Sequence, residues 1–148
     1  MILTVVPNPA LDKTVVLPGF TLGKIHRPQE VMTLAGGKGF NFARALRTLG
    51  GQPTVVGPIG GHAGKLLLDL AAQEGLRVSA QEVDAELRTC LTIVDPIAGH
   101  QLTEIYENGV AITSEEWSGL VQLVDRLLVE ARLLVVNGSF PPERRRMV

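Results

Sequence analysis

The residues best able to do chemistry lie in one stretch, 35–49, which reads AGGKGFNFARALRTL. Three glycines surround Lys38 directly before a helical pattern of apolar residues. Glycines at a helix start expose bare backbone, and the free N–H groups and the helix dipole favour an anion there. Lys38 adds positive charge, and Asn41 can both donate and accept hydrogen bonds. The stretch predicts a binding site for a phosphorylated or polyhydroxylated small molecule, although a GGKG alone is more often a turn with a solvated lysine.

Composition and charge exclude several classes of protein. The chain has 148 residues, 45% of them hydrophobic and 20% charged, which is typical of one folded globular domain. A net charge of −1 gives no field that attracts nucleic acid or a membrane surface. No apolar run reaches the ~18 residues of a membrane span, and no signal peptide is evident. The single cysteine, Cys90, suits a reducing compartment, so we expect a cytoplasmic protein without nucleic-acid or membrane partners.

Short buried strands alternate with amphipathic helices along the chain. Continuous apolar runs bounded by turn residues predict strands at 2–6, 54–57 and 133–136. Helices are predicted after the glycines, with an apolar stripe of Ala43, Leu46 and Leu49, at about 62–74, and behind a capping box of Thr113 and Glu116. This alternation favours a parallel α/β sheet flanked by helices.

Four further extended segments predict a second, smaller sheet. They are short, mix polar and apolar residues, and cover 15–17, 30–34, 88–95 and 101–107. The last two are expected to form a hairpin. Its strand residue Cys90 has apolar and threonine neighbours, which favours a packing role over a nucleophilic one.

Polar residues and glycines collect just past the predicted strand ends. Asp12 is placed in the loop after the first strand, and the glycine stretch, 60–61 and 137–139 follow later strands. Ligands of parallel sheets bind at the carboxyl ends of the strands. We therefore expect these segments to converge on one site.

Three familiar motifs fail to match. Gly64-Lys65 is followed by leucine, which excludes a P-loop, and the stretch at 37–39 does not continue as a dinucleotide-binding GxGxxG. The three histidines at 26, 62 and 100 lie far apart in unlike surroundings, so we predict no metal site from them.

Six segments in order resemble the ribokinase-like PfkB sugar kinases, most closely the 1-phosphofructokinases and tagatose-6-phosphate kinases. They are NPALDKTV (8–15), GGKGFNFARALRTLG (36–50), VGPIGGHAG (56–64), RTCLTIVD (88–95), LTEIYENG (102–109) and NGSFPP (137–142). The resemblance implies a ribokinase-like parallel sheet with a small β lid, within one domain. The core would comprise about 1–10, 36–87 and 110–142, and the lid about 11–35 and 88–109.

The resemblance also implies roles for individual residues in binding a sugar phosphate. Asp12 would bind sugar hydroxyls, and Arg88 would grip the substrate phosphate with its planar guanidinium. Lys38 would offset phosphate charge, Ser139 would lie close by, and Lys24 in the lid is a weaker candidate. The residues that would line the sugar are Gly36, Gly37 and Asn41.

The sequence departs from the family in its second half. PfkB kinases run to about twice this length and carry a GAGD motif with the catalytic base, and an NxxE motif that organises magnesium and phosphate. Neither string occurs among the 148 residues. The resemblance implies ATP and Mg2+ as cofactors, but it places the base and the nucleotide pocket in the missing C-terminal half. We therefore expect the chain to resemble the N-terminal half of a kinase, with no catalytic residue or metal ligand of its own.

The sequence leaves two other functions open. One is a non-catalytic module that binds a sugar phosphate or a protein partner, and the other is a structural remnant without a ligand. Related kinases commonly dimerise through their lids, and the strand at 133–136 would form an unpaired sheet edge in such a half. We therefore expect a homo-oligomer held by the lid sheet, by this edge, or by both.

Overall fold

Two four-stranded sheets organise the computed structural model of the protein, which describes residues 1–109 and 111–141. The strands are β1 (Ile2–Val5), β2 (Ala10–Val16), β3 (Glu30–Gly36), β4 (Pro53–Ile59), β5 (Arg77–Glu82), β6 (Thr89–Asp95), β7 (Gln101–Tyr106) and β8 (Leu133–Val136). The helices are α1 (Lys38–Thr48), α2 (Gly61–Gln73) and α3 (Ser114–Leu128). The predicted α/β fold with a second small sheet is confirmed.

The larger sheet, here called the core sheet, has the strand order β5–β4–β1–β8 and only parallel pairs. Its central strand β4 is buried along its whole length, as expected for a strand covered on both faces. Helices α1 and α2 pack on the face that includes Val55, and α3 packs on the face that includes Leu3 and Val56. The sequence interpretation missed β5, because its residues RVSAQE form no continuous apolar run.

The smaller sheet, here called the lid sheet, has the order β3–β2–β6–β7. The pairs β2–β3 and β6–β7 are antiparallel, and β2 and β6 are parallel. The predicted hairpin is therefore confirmed, and Cys90 lies buried in β6, where burial raises the pKa of its thiol. The placement of Asp12 in a loop was wrong. β2 begins at Ala10, which is paired with Gly36, so Asp12 lies within the strand.

Helix α1 buries Ala43 as predicted, but the predicted apolar stripe does not continue to Leu49. Gly39, Phe40 and Ala43 are buried, whereas Leu49 is 83% exposed. The helix ends at Thr48, and Gly50 adopts the left-handed region at φ 83°, so Leu49 lies beyond the last full turn. The capping box of Thr113 and Glu116 at the start of α3 is confirmed.

Strand β8 forms one edge of the core sheet and is paired only with β1 among the described residues. Leu133, Leu134 and Val136 are 52%, 40% and 53% exposed, so this edge presents apolar side chains as well as free backbone groups. The predicted edge position of this strand is confirmed. Across residues 1–109 and 111–141, no helix combines the length and apolar character needed to cross a membrane.

Candidate functional site

The carboxylate of Asp12 lies directly against the glycine stretch. Strand β3 runs antiparallel to β2 and ends at Gly36, which brings the two segments together. The N–H of Gly37 donates a hydrogen bond to Asp12 Oδ2 at 3.2 Å. A Cβ at position 36 would lie only 2.3 Å from Asp12 Cγ, so only glycine leaves room for the carboxylate there. Asp12, Gly36 and Gly37 thus form the first part of the candidate site.

The start of α1 forms the second part of the candidate site. Gly37 is its N-cap at φ 107°, a conformation that favours glycine, and no side chain caps the helix. Lys38 is exposed in the first turn. Asn41 is also exposed, and its Oδ1 accepts a hydrogen bond from Arg44 Nη1 at 2.8 Å. Lys38 and Asn41 thus lie in the first turn of the helix whose N-cap, Gly37, donates to Asp12.

Arg88, directly before β6, is held by backbone carbonyls. Its Nε donates to the carbonyl of Pro9 at 3.3 Å, and its Nη2 donates to the carbonyl of Asn8 at 3.1 Å. Arginine has five N–H donors, and within the described residues these carbonyls engage two of them. The guanidinium is therefore oriented by the chain and retains donors for an anion such as phosphate.

Ser139 reaches the same region through Asn8, a residue that the sequence interpretation did not include in the site. Asn8 Nδ2 donates to Ser139 Oγ at 3.1 Å, and Asn8 itself is only 5% exposed. The available signal was an asparagine between two prolines directly after a buried strand. The last residue of the NGSFPP segment, at position 142, lies outside the described residues.

Lys24 is not brought to this cluster. It is exposed in the segment between β2 and β3, and the structure shows no hydrogen bond or ion pair from it to the other predicted site residues it describes. The beginning of that segment is anchored elsewhere, because the N–H groups of Gly19 and Phe20 each donate to the Asp95 carboxylate at 2.9 Å. The contacts thus link Asp12 to Gly36 and Gly37, and they link Arg88 and Ser139 through Asn8, whereas Lys24 has no such link.

The glycines at 60 and 61 precede α2, whose first N–H groups already have a partner. Gly60 is the N-cap of α2, and the Glu86 carboxylate accepts hydrogen bonds from the N–H groups of Ala63 at 2.5 Å and His62 at 3.1 Å. These two bonds lower the pKa of Glu86. The first turn of α2 is therefore occupied by a carboxylate of the same chain, which disfavours a second anion there.

The described residues form no ready-made cluster of metal ligands. Residues 1–109 and 111–141 contain no group of three or more histidine, cysteine, aspartate or glutamate side chains that could hold a metal ion. Mg2+ usually keeps several waters and is bound through one or two carboxylates together with substrate phosphates, so it does not require such a cluster. We assign no metal ligand among the described residues.

Comparison with known proteins identifies the class. Residues 8–147 match the model of the pfkB family carbohydrate kinases, and the chain belongs to this family. The resemblance read from the six sequence segments is thereby confirmed.

Solved structures of phosphofructokinases share the fold. Phosphofructokinase-2 from Escherichia coli, in complex with fructose-6-phosphate, superposes with a TM-score of 0.86 at 31% identity, over 95% of this chain and 46% of that one. Its tetrameric inhibited form gives 0.84 at 31%, over 95% and 46%. A possible 1-phosphofructokinase from Thermotoga maritima gives 0.88 at 28%, over 96% and 46%. The present chain therefore spans less than half the length of these neighbours.

Proposed function

We propose that this chain is the sugar-phosphate-binding part of a PfkB-type kinase that acts on a hexose phosphate such as fructose 1-phosphate or tagatose 6-phosphate. One observation carries the proposal: the Asp12 carboxylate against Gly36 and Gly37, together with Arg88 held by the carbonyls of Asn8 and Pro9. A carboxylate accepts hydrogen bonds from sugar hydroxyls, and a guanidinium binds phosphate through two parallel N–H groups.

The remaining predicted residues also have groups that suit such a ligand. Lys38 supplies a positive charge in the first turn of α1, where no side chain caps the N–H groups that follow Gly37. Asn41 and the Ser139 hydroxyl add groups that can donate or accept hydrogen bonds. The fructose-6-phosphate complex of E. coli phosphofructokinase-2 supports a ligand of this class.

Assayed by itself, the 148-residue chain should not transfer phosphate from ATP. Phosphoryl transfer needs a base that positions the acceptor hydroxyl and groups that stabilise the developing charge. The family strings GAGD and NxxE do not occur in the sequence, and the described residues hold no metal-binding cluster. ATP and Mg2+ thus belong to the proposed family reaction, with their binding residues outside this chain. The single cysteine favours a cytoplasmic location for that reaction.

The absence of the GAGD and NxxE strings also favours a second function. A chain with a sugar-phosphate site but no catalytic base could act as a non-catalytic binding or interaction module. A homo-oligomer formed through the lid sheet or the β8 edge is compatible with both functions. The tetrameric form of E. coli phosphofructokinase-2 supports self-association within this family.

Calorimetric titration with fructose 1-phosphate, fructose 6-phosphate and tagatose 6-phosphate tests the proposal, with unphosphorylated fructose as the matched control. We expect at least one of the phosphorylated sugars to bind, and fructose to bind far more weakly. No binding by any of the three would reject the proposed site.

A coupled ATP assay separates the two functions. Turnover that survives repurification and disappears in Asp12→Ala would show that the chain is a kinase on its own.

A further inference from the structure

Asn8 lies between two of the residues proposed to bind the substrate. Its backbone carbonyl accepts a hydrogen bond from Arg88 Nη2 at 3.1 Å, and its side-chain Nδ2 donates to Ser139 Oγ at 3.1 Å. We propose that Asn8 is a positioning residue that sets the Ser139 hydroxyl against the Arg88 guanidinium. This inference rests on the proposed sugar-phosphate site.

The backbone around Asn8 is unusually constrained. Pro7 and Pro9 flank it, and both are less than 2% exposed. Proline fixes its own φ and restricts the residue before it to extended conformations. The carbonyls of Asn8 and Pro9 therefore point in fixed directions, and both accept from Arg88. A guanidinium bound at two points of a rigid turn has little freedom to rotate.

The side chain of Asn8 links this rigid turn to Ser139, which follows the end of β8. Because Ser139 Oγ accepts from Asn8 Nδ2, the hydroxyl proton of Ser139 is left to donate to a ligand. Asn8 is 5% exposed, so it acts through Ser139 and Arg88 instead of offering a surface of its own. Its Oδ1 is buried and accepts no hydrogen bond within the described residues. A buried acceptor without a partner lowers the stability of the fold, so such a group is expected where it serves a function.

Gly109 makes room for this arrangement. A Cβ at position 109 would lie 2.8 Å from both Nδ2 and Oδ1 of Asn8. Gly109→Ala therefore pushes the amide of Asn8 while leaving its chemistry unchanged. This gives a second, independent variant that disturbs the same contact.

A double-mutant cycle of Asn8→Ala and Ser139→Ala tests the inference, read out as affinity for each of the three hexose phosphates named above. Loss of one hydrogen bond predicts a weakening of about three- to tenfold for Asn8→Ala. In the Ser139→Ala background, Asn8→Ala should have almost no further effect, because its action is routed through that hydroxyl. Gly109→Ala should weaken binding in the same direction. Fully additive effects in the cycle would overturn the inference.

Gln73→Ala is the control. Gln73 is an exposed amide residue at the end of α2, outside the proposed site. We expect its affinity to equal that of the wild type, and an equal loss in Asn8→Ala and Gln73→Ala would overturn the inference. If the wild type binds none of the sugars, the proposed function fails, and the NMR resonances of the Asn8 side-chain NH2 group become the readout. A shift of these resonances in Ser139→Ala that is absent in Gln73→Ala supports the contact between Asn8 and Ser139, and unchanged resonances contradict it.

Discussion

Asp12 Oδ2 accepts a hydrogen bond from the N–H of Gly37 at 3.2 Å, and this contact joins the lid sheet to the start of α1. The two residues are 25 positions apart in sequence and belong to different parts of the fold. A carboxylate has about four lone-pair sites, so one such bond leaves capacity for ligand hydroxyls. The candidate site is therefore built across the junction of the two sheets.

Gly36→Ala should displace the Asp12 carboxylate. The new Cβ would lie 2.3–2.6 Å from the carboxylate atoms, which no side chain tolerates without movement. Loss of a charge-assisted hydrogen bond of ~1.5–3 kcal/mol predicts at least about tenfold weaker sugar-phosphate binding in calorimetry.

Gly119→Ala is the control for that substitution. Its Cβ would meet only the flexible end of Gln81, at 2.7 Å from Oε1, and it lies within α3. Alanine is favoured over glycine in a helix by about 1 kcal/mol, so this variant should bind normally and melt no lower than the wild type. Equal affinity in Gly36→Ala and Gly119→Ala would mean that Asp12 does not bind the sugar.

Arg88→Ala should separate phosphorylated from unphosphorylated ligands. A charge-assisted contact to phosphate of ~1.5–3 kcal/mol predicts a loss of roughly ten- to hundredfold for the sugar phosphate and little change for fructose. Titration of both ligands measures the difference. Arg77→Ala removes an exposed arginine at the start of β5 and should leave both affinities unchanged. Equal losses for the two ligands would show instead that Arg88 supports the fold.

Local sequence patterns were sufficient for much of the architecture. Apolar runs mark β1, β4 and β8, and the Thr113–Glu116 pair marks the start of α3, because each signal lies within a few residues. The extent of β2 was not visible in this way. Its first residues are held by pairing with β3 and β6, which are distant in sequence, so Asp12 was assigned to a loop.

The residues of the candidate site also divide into those with a local sequence signal and those without one. Arg88, Asp12 and the glycines could be named from short motifs, but the contact between Asn8 and Ser139 spans 131 positions and has no local signature. The capping of α2 by Glu86 was hidden for a similar reason, because the carboxylate comes from 23 and 24 residues beyond the N–H groups that it accepts from. Side-chain contacts between distant segments depend on the assembled fold.

The Asp95 carboxylate should make stability depend on pH. It accepts hydrogen bonds from the N–H of Gly19, and also from those of Phe20, Ile97 and Ala98, and these bonds lower its pKa. A carboxyl with a lowered pKa in the folded state stabilises the fold above its unfolded pKa of about 3.9. That stabilisation is lost as the pH falls through the folded pKa. Urea unfolding between pH 7 and pH 2 measures the effect.

Asp95→Asn tests the assignment. The side-chain nitrogen of asparagine cannot accept hydrogen bonds as the carboxylate oxygen in its place does. The variant should therefore be less stable than the wild type at pH 7. The difference should shrink as the wild-type carboxyl becomes protonated below about pH 4. Asp69→Asn, on the exposed surface of α2, is the control and should unfold like the wild type at pH 7. A gap for Asp95→Asn that stays constant down to pH 2 would contradict the assignment.

The exposed edge of β8 should drive self-association. Its outer N–H and C=O groups are unpaired within the described sheet, and Leu133, Leu134 and Val136 add exposed apolar area beside them. Unpaired, uncharged edge strands readily pair with another chain, and a lysine on such a strand discourages pairing. Light scattering at micromolar concentration should therefore return at least twice the chain mass of 15.9 kDa.

Single lysine substitutions distinguish the two surfaces that could mediate this association. Val136→Lys should weaken an assembly paired through β8, whereas Leu102→Lys, at an exposed position of β7, should weaken one held by the lid sheet. Leu49→Lys changes a more exposed leucine beyond the end of α1 and should leave the mass unchanged. A wild-type mass of about 15.9 kDa would refute self-association altogether. A reduced mass in Leu102→Lys alone would assign the contact to the lid sheet, because β8 would then remain unpaired in the assembly.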